Sequence, residues 1–183
     1  IFLHEKGIAD RFDEQVYNMS PVGEQRQWKH LKMNPWGETP TLELADGSFI
    51  SETAAVVRYL DQAFPGRRIM GETPEEQGLD AMWDNRIWVH ILYRIVTAFH
   101  VLHQGLGPKL ELTSNPAWGE HCRKEALAHA SLVNQHLSDG REWLLGGAAP
   151  TFSDITMATA IAFSKFPVNA TPLDERFEHI DAF

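Results

Sequence analysis

The chain has 183 residues, 43% of them hydrophobic and 22% charged, a globular composition with length for one large or two small domains. Its net charge of −9 argues against a nucleic-acid partner, so an anionic ligand must be met by local positive features. No apolar run approaches the roughly 20 residues of a membrane span, no secretory signal opens the chain, and the single Cys122 excludes an intramolecular disulfide framework and fits a reducing cytoplasm.

Ile1 to Lys6 reads as the last turns of a helix, ended by Gly7. Nothing before it supplies a start signal, and residues 174–183 read as a helix without a stop signal, so further residues are expected beyond both ends. Arg11 to Met19 carries Phe12, Val16 and Tyr17, is bounded by Ser20-Pro21, and reads as a strand. A short helix is expected around Trp28 to Met33, stopped near Asn34-Pro35 because the residue before a proline disfavours the α region. Thr41 to Leu44 is a short strand, Asp46-Gly47 a turn, and Ser48 to Ile50 the returning hairpin partner. Ser51 to Phe64 reads as a helix with Val56, Val57, Leu60 and Phe64 on one face. Helix, strand, helix, hairpin, helix is most of a thioredoxin-like α/β unit that lacks its first strand. That unit is expected over residues 1–66, with a linker at 67–73 opened by Pro65-Gly66-Arg67-Arg68.

Residues 74–183 read as an all-helical bundle. Pro74 to His103 places Ile87, Ile91, Ile95, Ala98 and Leu102 on one stripe and Trp88, Leu92 and Phe99 on the next. An apolar face that wide calls for burial on two sides, as in a bundle that also meets a partner subunit. At 1.5 Å per residue the helix would run about 45 Å. A second helix spans Pro116 to Leu137, with Ala126, Ala130, Val133 and Leu137 inward. A third starts at Thr151, with Asp154 placed to close a capping box and Pro150 and Ile155 at the staple positions. Ala158, Thr159, Ala162 and Phe166 continue it at helical spacing.

Two motifs carry the chemistry. In Asn34-Pro35-Trp36-Gly37-Glu38-Thr39-Pro40-Thr41, a proline stands just before a short strand, where it sits at the first residue or an edge, and Thr39-Pro40 is a candidate cis bond. Either it is a structural bend, or it turns the Thr39 backbone outward to pair like a strand with a peptide ligand. Ser51-Glu52-Thr53 opens the next helix, and a hydroxyl there is either a plain cap or part of an anion site on the helix N-terminus. With Glu52 beside it, the pair suits an amino-acid head group: carboxylate on Thr53, ammonium on Glu52.

Asn-Pro-x-Gly-x-x-Pro, a short strand, Asp-Gly, then Ser51-Glu52-Thr53-Ala54-Ala55 and Arg58-Tyr59-Leu60-Asp61 resemble the glutathione-site half of cytosolic glutathione transferases, especially bacterial ones. Thr151 to Ile155 resembles the capping box of that family's helical domain, so the likeness covers the whole chain. The resemblance implies that Thr39, beside cis Pro40, binds the cysteinyl backbone of glutathione, and that Glu52 and Thr53 hold the γ-glutamyl end. Lys29, His30 and Lys32 are the nearest groups for the glycyl carboxylate. At Glu38, where many relatives carry Lys or Gln, the chain departs from the pattern, so either Glu38 points away or the glycyl contact comes from elsewhere. The hydroxyl or thiol that activates the glutathione sulfur is expected N-terminal to Ile1. Trp83, Arg86 and Trp88 fall where relatives build the electrophile pocket and the dimer interface.

The implied activity is addition of the glutathione thiolate to a small hydrophobic electrophile by a cytoplasmic homodimer, a detoxification chemistry with glutathione as co-substrate and no metal. The alternatives are a glutathione-dependent reductase or isomerase on the same fold, and a non-catalytic assembly or carrier protein. His100 and His103, three apart, read as solvent-facing, Cys122 as a surface or half-buried thiol, and Arg67-Arg68 as a solvated pair.

Overall fold

The computed structural model describes residues 1–19, 23–102, 114–165, 173 and 177–181, and its backbone divides into two compact units, 1–68 and 69–183. The first opens with helix α1 (Phe2–Glu5), closed by Gly7 at φ +70°, and a 3₁₀ turn over Ala9–Arg11. The expected strand over 11–19 does not form. A strand needs a neighbour for its N–H and C=O groups, and among the described residues the sheet has two strands, neither paired with this segment. Val16 and Met19 stand exposed, while Phe12 packs 5.6 Å from the Phe64 ring, over which the Arg11 guanidinium lies at 5.4 Å.

Helix α2 (Trp28–Leu31) stops ahead of Asn34-Pro35. Strands β1 (Thr41–Glu43) and β2 (Phe49–Ser51) pair antiparallel in the register Thr41 with Ser51, Leu42 with Ile50 and Glu43 with Phe49. Helix α3 (Thr53–Ala63) starts two residues later than expected, because Ser51 closes β2 and Glu52 turns the chain. Its buried face is Val56, Val57, Leu60 and Asp61, with Phe64 half-buried.

A buried ion pair ties the ends of this unit. The Lys6 ammonium donates to Asp61 Oδ1 at 2.9 Å, the Asp61 carbonyl at 3.2 Å and the Arg67 carbonyl at 2.8 Å, with both charged groups inaccessible to solvent. All three ammonium protons are thereby satisfied, the condition under which a buried charge is tolerated. Arg68 also donates to the Asp61 carbonyl, so the Arg67-Arg68 pair is a structural tie and not merely solvated.

In the second unit, Thr73 caps helix α4 (Pro74–Ile87), accepting from the Glu76 N–H at 3.1 Å while Glu76 reaches back to the Thr73 N–H. Trp88–Leu92 is a π-turn, and helix α5 (Tyr93–Leu102) continues from it. The extra residue of a π-turn rotates the helix beyond it. The core face therefore runs Ile87, Ile91, then Leu92, Ile95, Ala98 and Val101, with Leu102 only half-buried and Trp88 half exposed. The expected placing of Trp88 and Leu102 is corrected accordingly, and His103 and Phe166 lie outside the described residues.

Helices α6 (Pro116–Leu137) and α7 (Phe152–Ser164) complete the bundle, with a short α8 (Glu178–Asp181) in the stretch expected to be helical from 174. Ala126, Ala130, Val133 and Leu137 join Ile91, Ile95, Met157 and Ala160 in one core. The start of α7 is held by buried carboxylates. Asp154 accepts from the Thr151 N–H at 2.7 Å and the Leu144 N–H at 2.8 Å, and Asp80 from the Ser153 N–H at 2.8 Å. Small residues let helices close up: a Cβ on Gly119 would lie 2.2 Å from Val101 Cγ2.

Candidate functional site

The antiparallel register brings the two motifs together. Thr41 pairs with Ser51, so Pro40 and Glu52 flank one end of the ladder and the Asp46-Gly47 turn lies at the other. Thr39 and Thr53 are each one residue further out. Paired strand residues stand about 5 Å apart and each step is about 3.3 Å. An extended tripeptide, about 10 Å long, spans that distance.

Each motif has an unusual backbone at this end. The Thr39–Pro40 bond is cis. Thr39 is exposed, its hydroxyl lying 3.9 Å from Met19 Sδ, and among the described residues its N–H and C=O have no hydrogen-bond partner. Glu52 has φ +71° and ψ 125°, and among the described residues it is the one non-glycine with positive φ. Such a conformation costs about 1–3 kcal/mol and persists where the surroundings over-determine it, most often at ligand sites. Here it lets the Glu52 carbonyl accept the Val56 N–H at 2.9 Å, the first bond of α3, while the carboxylate stays in solvent beside the helix N-terminus.

The basic candidates separate. Lys29 and Lys32 are exposed, the Lys32 ammonium lying 5.8 Å from the centre of the Trp28 ring. His30 is buried, 1% exposed, and its Nε2 donates to the Glu38 carbonyl at 2.8 Å with the Tyr17 ring edge-on at 5.1 Å. An imidazole turned inward onto a backbone oxygen does not present itself to a carboxylate, so the expectation for His30 is corrected. The Glu38 side chain faces solvent while its carbonyl points inward. Asn34, which the sequence offered without a role, donates to that carbonyl at 2.9 Å and accepts from the Trp36 N–H at 3.1 Å.

In the helical unit Trp83 and Arg86 line a cavity of about 360 Å³ with His90, Ile91, His129, Leu132 and Val133. The Arg86 guanidinium lies 5.2 Å from the centre of the Trp83 ring, and the His90 and His129 rings stack at 4.6 Å. Trp88 is not in this lining. It is half exposed, 6.5 Å from Tyr93, at the first residue of the π-turn, while His90 and Ile91 within the turn line the cavity. Periodicity alone carried no sign of that turn.

Cys122 is fully buried, not surface or half-buried, with an Arg94 guanidinium nitrogen 3.7 Å from its sulfur. Arg123 and Lys124, its sequence neighbours, turn instead to Glu120, and Arg123 holds that carboxyl below its usual range by hydrogen bonding. His100 is half-buried and lies 5.6 Å from Phe99. Among the described residues, no three His, Cys, Asp or Glu side chains cluster as metal ligands.

Comparison with known proteins matches residues 1–63 to the family model described as glutathione S-transferase, N-terminal domain, and residues 116–183 to its C-terminal domain. Glutathione S-transferase 2 of Saccharomyces cerevisiae is 32% identical over 142 residues, 78% of this chain and 60% of that relative, so the match spans less than two thirds of its length. The crystal structure of a glutathione S-transferase domain-containing protein from Marinobacter aquaeolei VT8 superposes with a TM-score of 0.87 at 30% identity, covering 99% of this chain and 86% of that one. Gtt2 from Saccharomyces cerevisiae superposes with a TM-score of 0.85 at 29% identity, covering 99% and 85%. With a thioredoxin-like hairpin half, a helical half and both domain models matched in order, the chain belongs to the glutathione S-transferase family.

Proposed function

We propose that this protein is a glutathione transferase that binds glutathione at the open end of the β1–β2 hairpin and adds its thiolate to an electrophilic small molecule. The observation that carries the reading is the strained Glu52 backbone one step beyond the Thr41–Ser51 pair, with the exposed Thr39 amide across from it. Thr39, beside cis Pro40, pairs its backbone with the cysteinyl residue. Glu52 takes the γ-glutamyl ammonium, and Thr53, with the N-terminal N–H groups of α3, takes its carboxylate. Lys29 and Lys32 serve the glycyl carboxylate, and Glu38, facing solvent, leaves it unopposed.

The cavity containing Trp83 and Arg86 is the candidate for the electrophile, its size falling within the range of small-molecule sites. Half-exposed Trp88, Tyr93 and Trp118 favour a homodimer, since aromatic residues are enriched where subunits meet. A single cysteine fits a reducing, cytoplasmic setting, and conjugating an electrophile there is a detoxifying chemistry. The domain boundaries proposed are 1–66, 67–73 and 74–183. No residue from 1 to 183 is assigned the activation of the sulfur.

Retention on immobilised glutathione tests the reading. The protein should be held and eluted by free glutathione, while Glu52→Ala should pass through or be retarded much less. Negligible retention of both would reject glutathione as the ligand.

A further inference from the structure

The peptide group between Glu38 and Thr39 is gripped from three elements. Its carbonyl accepts from His30 Nε2 on α2 at 2.8 Å, from Asn34 Nδ2 in the turn after α2 at 2.9 Å and from Thr41 Oγ1 on β1 at 3.4 Å. The two short bonds fill the two lone pairs of the oxygen. His30 and Asn34 are both buried, 1% and 3% exposed, so water does not compete for these bonds. Because a carbonyl only accepts, His30 carries its proton on Nε2. Asn34 is itself anchored, its own oxygen taking the Trp36 N–H at 3.1 Å.

A trans peptide is planar, with its C=O and N–H pointing in opposite directions, and the cis bond of this segment is the next one, Thr39–Pro40. Fixing the Glu38 oxygen inward therefore fixes the Thr39 N–H outward. Hydrogen bonds along a peptide also polarise one another, so an oxygen holding two donors makes the opposite N–H a stronger donor. We infer that His30 and Asn34 are positioning residues, which aim and polarise the Thr39 amide for the backbone carbonyl of a bound thiol peptide without touching that ligand. The inference rests on the proposed glutathione site and gives the two side chains a task that the site's direct contacts do not.

The test tracks the Thr39 amide itself, in protein labelled with ¹⁵N-threonine and titrated with glutathione. The unsubstituted protein should show a downfield shift of the Thr39 proton on saturation. His30→Leu and Asn34→Ala should each lose most of that shift and bind glutathione about 10-fold more weakly, the size of one hydrogen bond's contribution. His30→Gln, whose amide nitrogen falls near the position of Nε2, should recover both. Thermal melts of each variant confirm that folded protein is compared, and a purely structural role would lower the melting temperature while leaving the Thr39 shift in the folded fraction intact. That result, or equal affinities across the series, would overturn the positioning role alone. No shift and no binding in the unsubstituted protein would overturn the glutathione reading and the positioning role with it.

Discussion

Two glycines inside helices should respond to alanine with opposite signs. Gly78 lies on exposed α4, and among the described residues nothing stands within 4 Å of the place its Cβ would take. Alanine there gains the helix propensity glycine lacks, about 0.8–1 kcal/mol. Gly119 is buried in α6, and its Cβ would lie 2.2 Å from Val101 Cγ2 and 2.8 Å from Leu102 Cγ. Carbon atoms in good contact stand about 3.5–4 Å apart, so α5 and α6 would have to separate by more than 1 Å against a stiff β-branched neighbour. Overpacking of this kind costs about 1–3 kcal/mol. The severity of the overlap places Gly119→Ala at the upper end, and after the propensity gain a net loss of about 2 kcal/mol remains.

For a chain of this size each kcal/mol moves the melting temperature by about 2–4 °C. Gly78→Ala should therefore melt about 2–4 °C higher and Gly119→Ala about 4–8 °C lower. Val101→Ala should be less harmful in the Gly119→Ala background than alone, because the two changes share one space. Equal signs for the two glycines, or strict additivity with Val101→Ala, would refute the close approach of α5 and α6.

Three further substitutions probe the buried charges and the strained turn. Lys6→Met strips Asp61 of its buried ammonium and should cost about 3–5 kcal/mol in urea denaturation; a loss under about 1 kcal/mol would mean the pair is nearly neutral. Burial, chiefly, raises the Asp80 pKa above 3.8, with the Asp154 charge adding to it against the Ser153 hydrogen bond. The native protein thus keeps a proton that the unfolded chain releases, and this group's contribution to stability falls as pH rises from 3.8 through the raised value. Asp80→Asn keeps an acceptor for the Ser153 N–H, so its stability relative to the unsubstituted protein should improve across that window; a flat difference would contradict the assignment. Glu52→Gly relieves positive φ but removes the carboxylate, so stability should rise by about 1 kcal/mol while glutathione affinity falls at least about 10-fold. Melts and calorimetry on the same sample decide it, and a destabilised Glu52→Gly would show that the backbone there is unstrained.

The hairpin, α3, α6 and α7 were legible because local signals act alone in them. Asp46-Gly47 sets the turn, proline and hydroxyl residues lie at or near the helix starts, and one apolar face is buried in α3 and α6, while the first turns of α7 are buried all round. Thr39, Pro40, Glu52 and Thr53 are grouped at one end of the hairpin by a two-strand register that the turn dictates. The features that escaped depend on partners distant in sequence. Residues 11–19 carry strand-favouring Phe12, Val16 and Tyr17 but have no described strand to pair with, and the inward turn of His30 is set by a carbonyl eight residues away. The π-turn hid because residues 87–102 are apolar in two adjacent frames, so shifting from one to the other leaves the periodicity intact. Cys122 looked polar by its neighbours Arg123 and Lys124, yet it sits on the opposite side of the helix from their charges, against α5.

Ile69 is completely buried, and its carbonyl accepts the Phe152 N–H at 3.0 Å, one of the donors that the start of α7 leaves unsatisfied. Two residues on, Gly71 holds φ +103° with its α-carbon against the backbone of Glu76 and Gln77, where a Cβ would come within 2.7 Å of an amide nitrogen. The five residues before Pro74 thus serve the helical unit through their backbone, as a cap on one helix start and a close seat for another. If the two units were separated by limited proteolysis, a cut after Arg68 would leave the helical fragment with that cap. A cut just before Pro74 would leave the Phe152 N–H without its acceptor, and the freed fragment should be digested further.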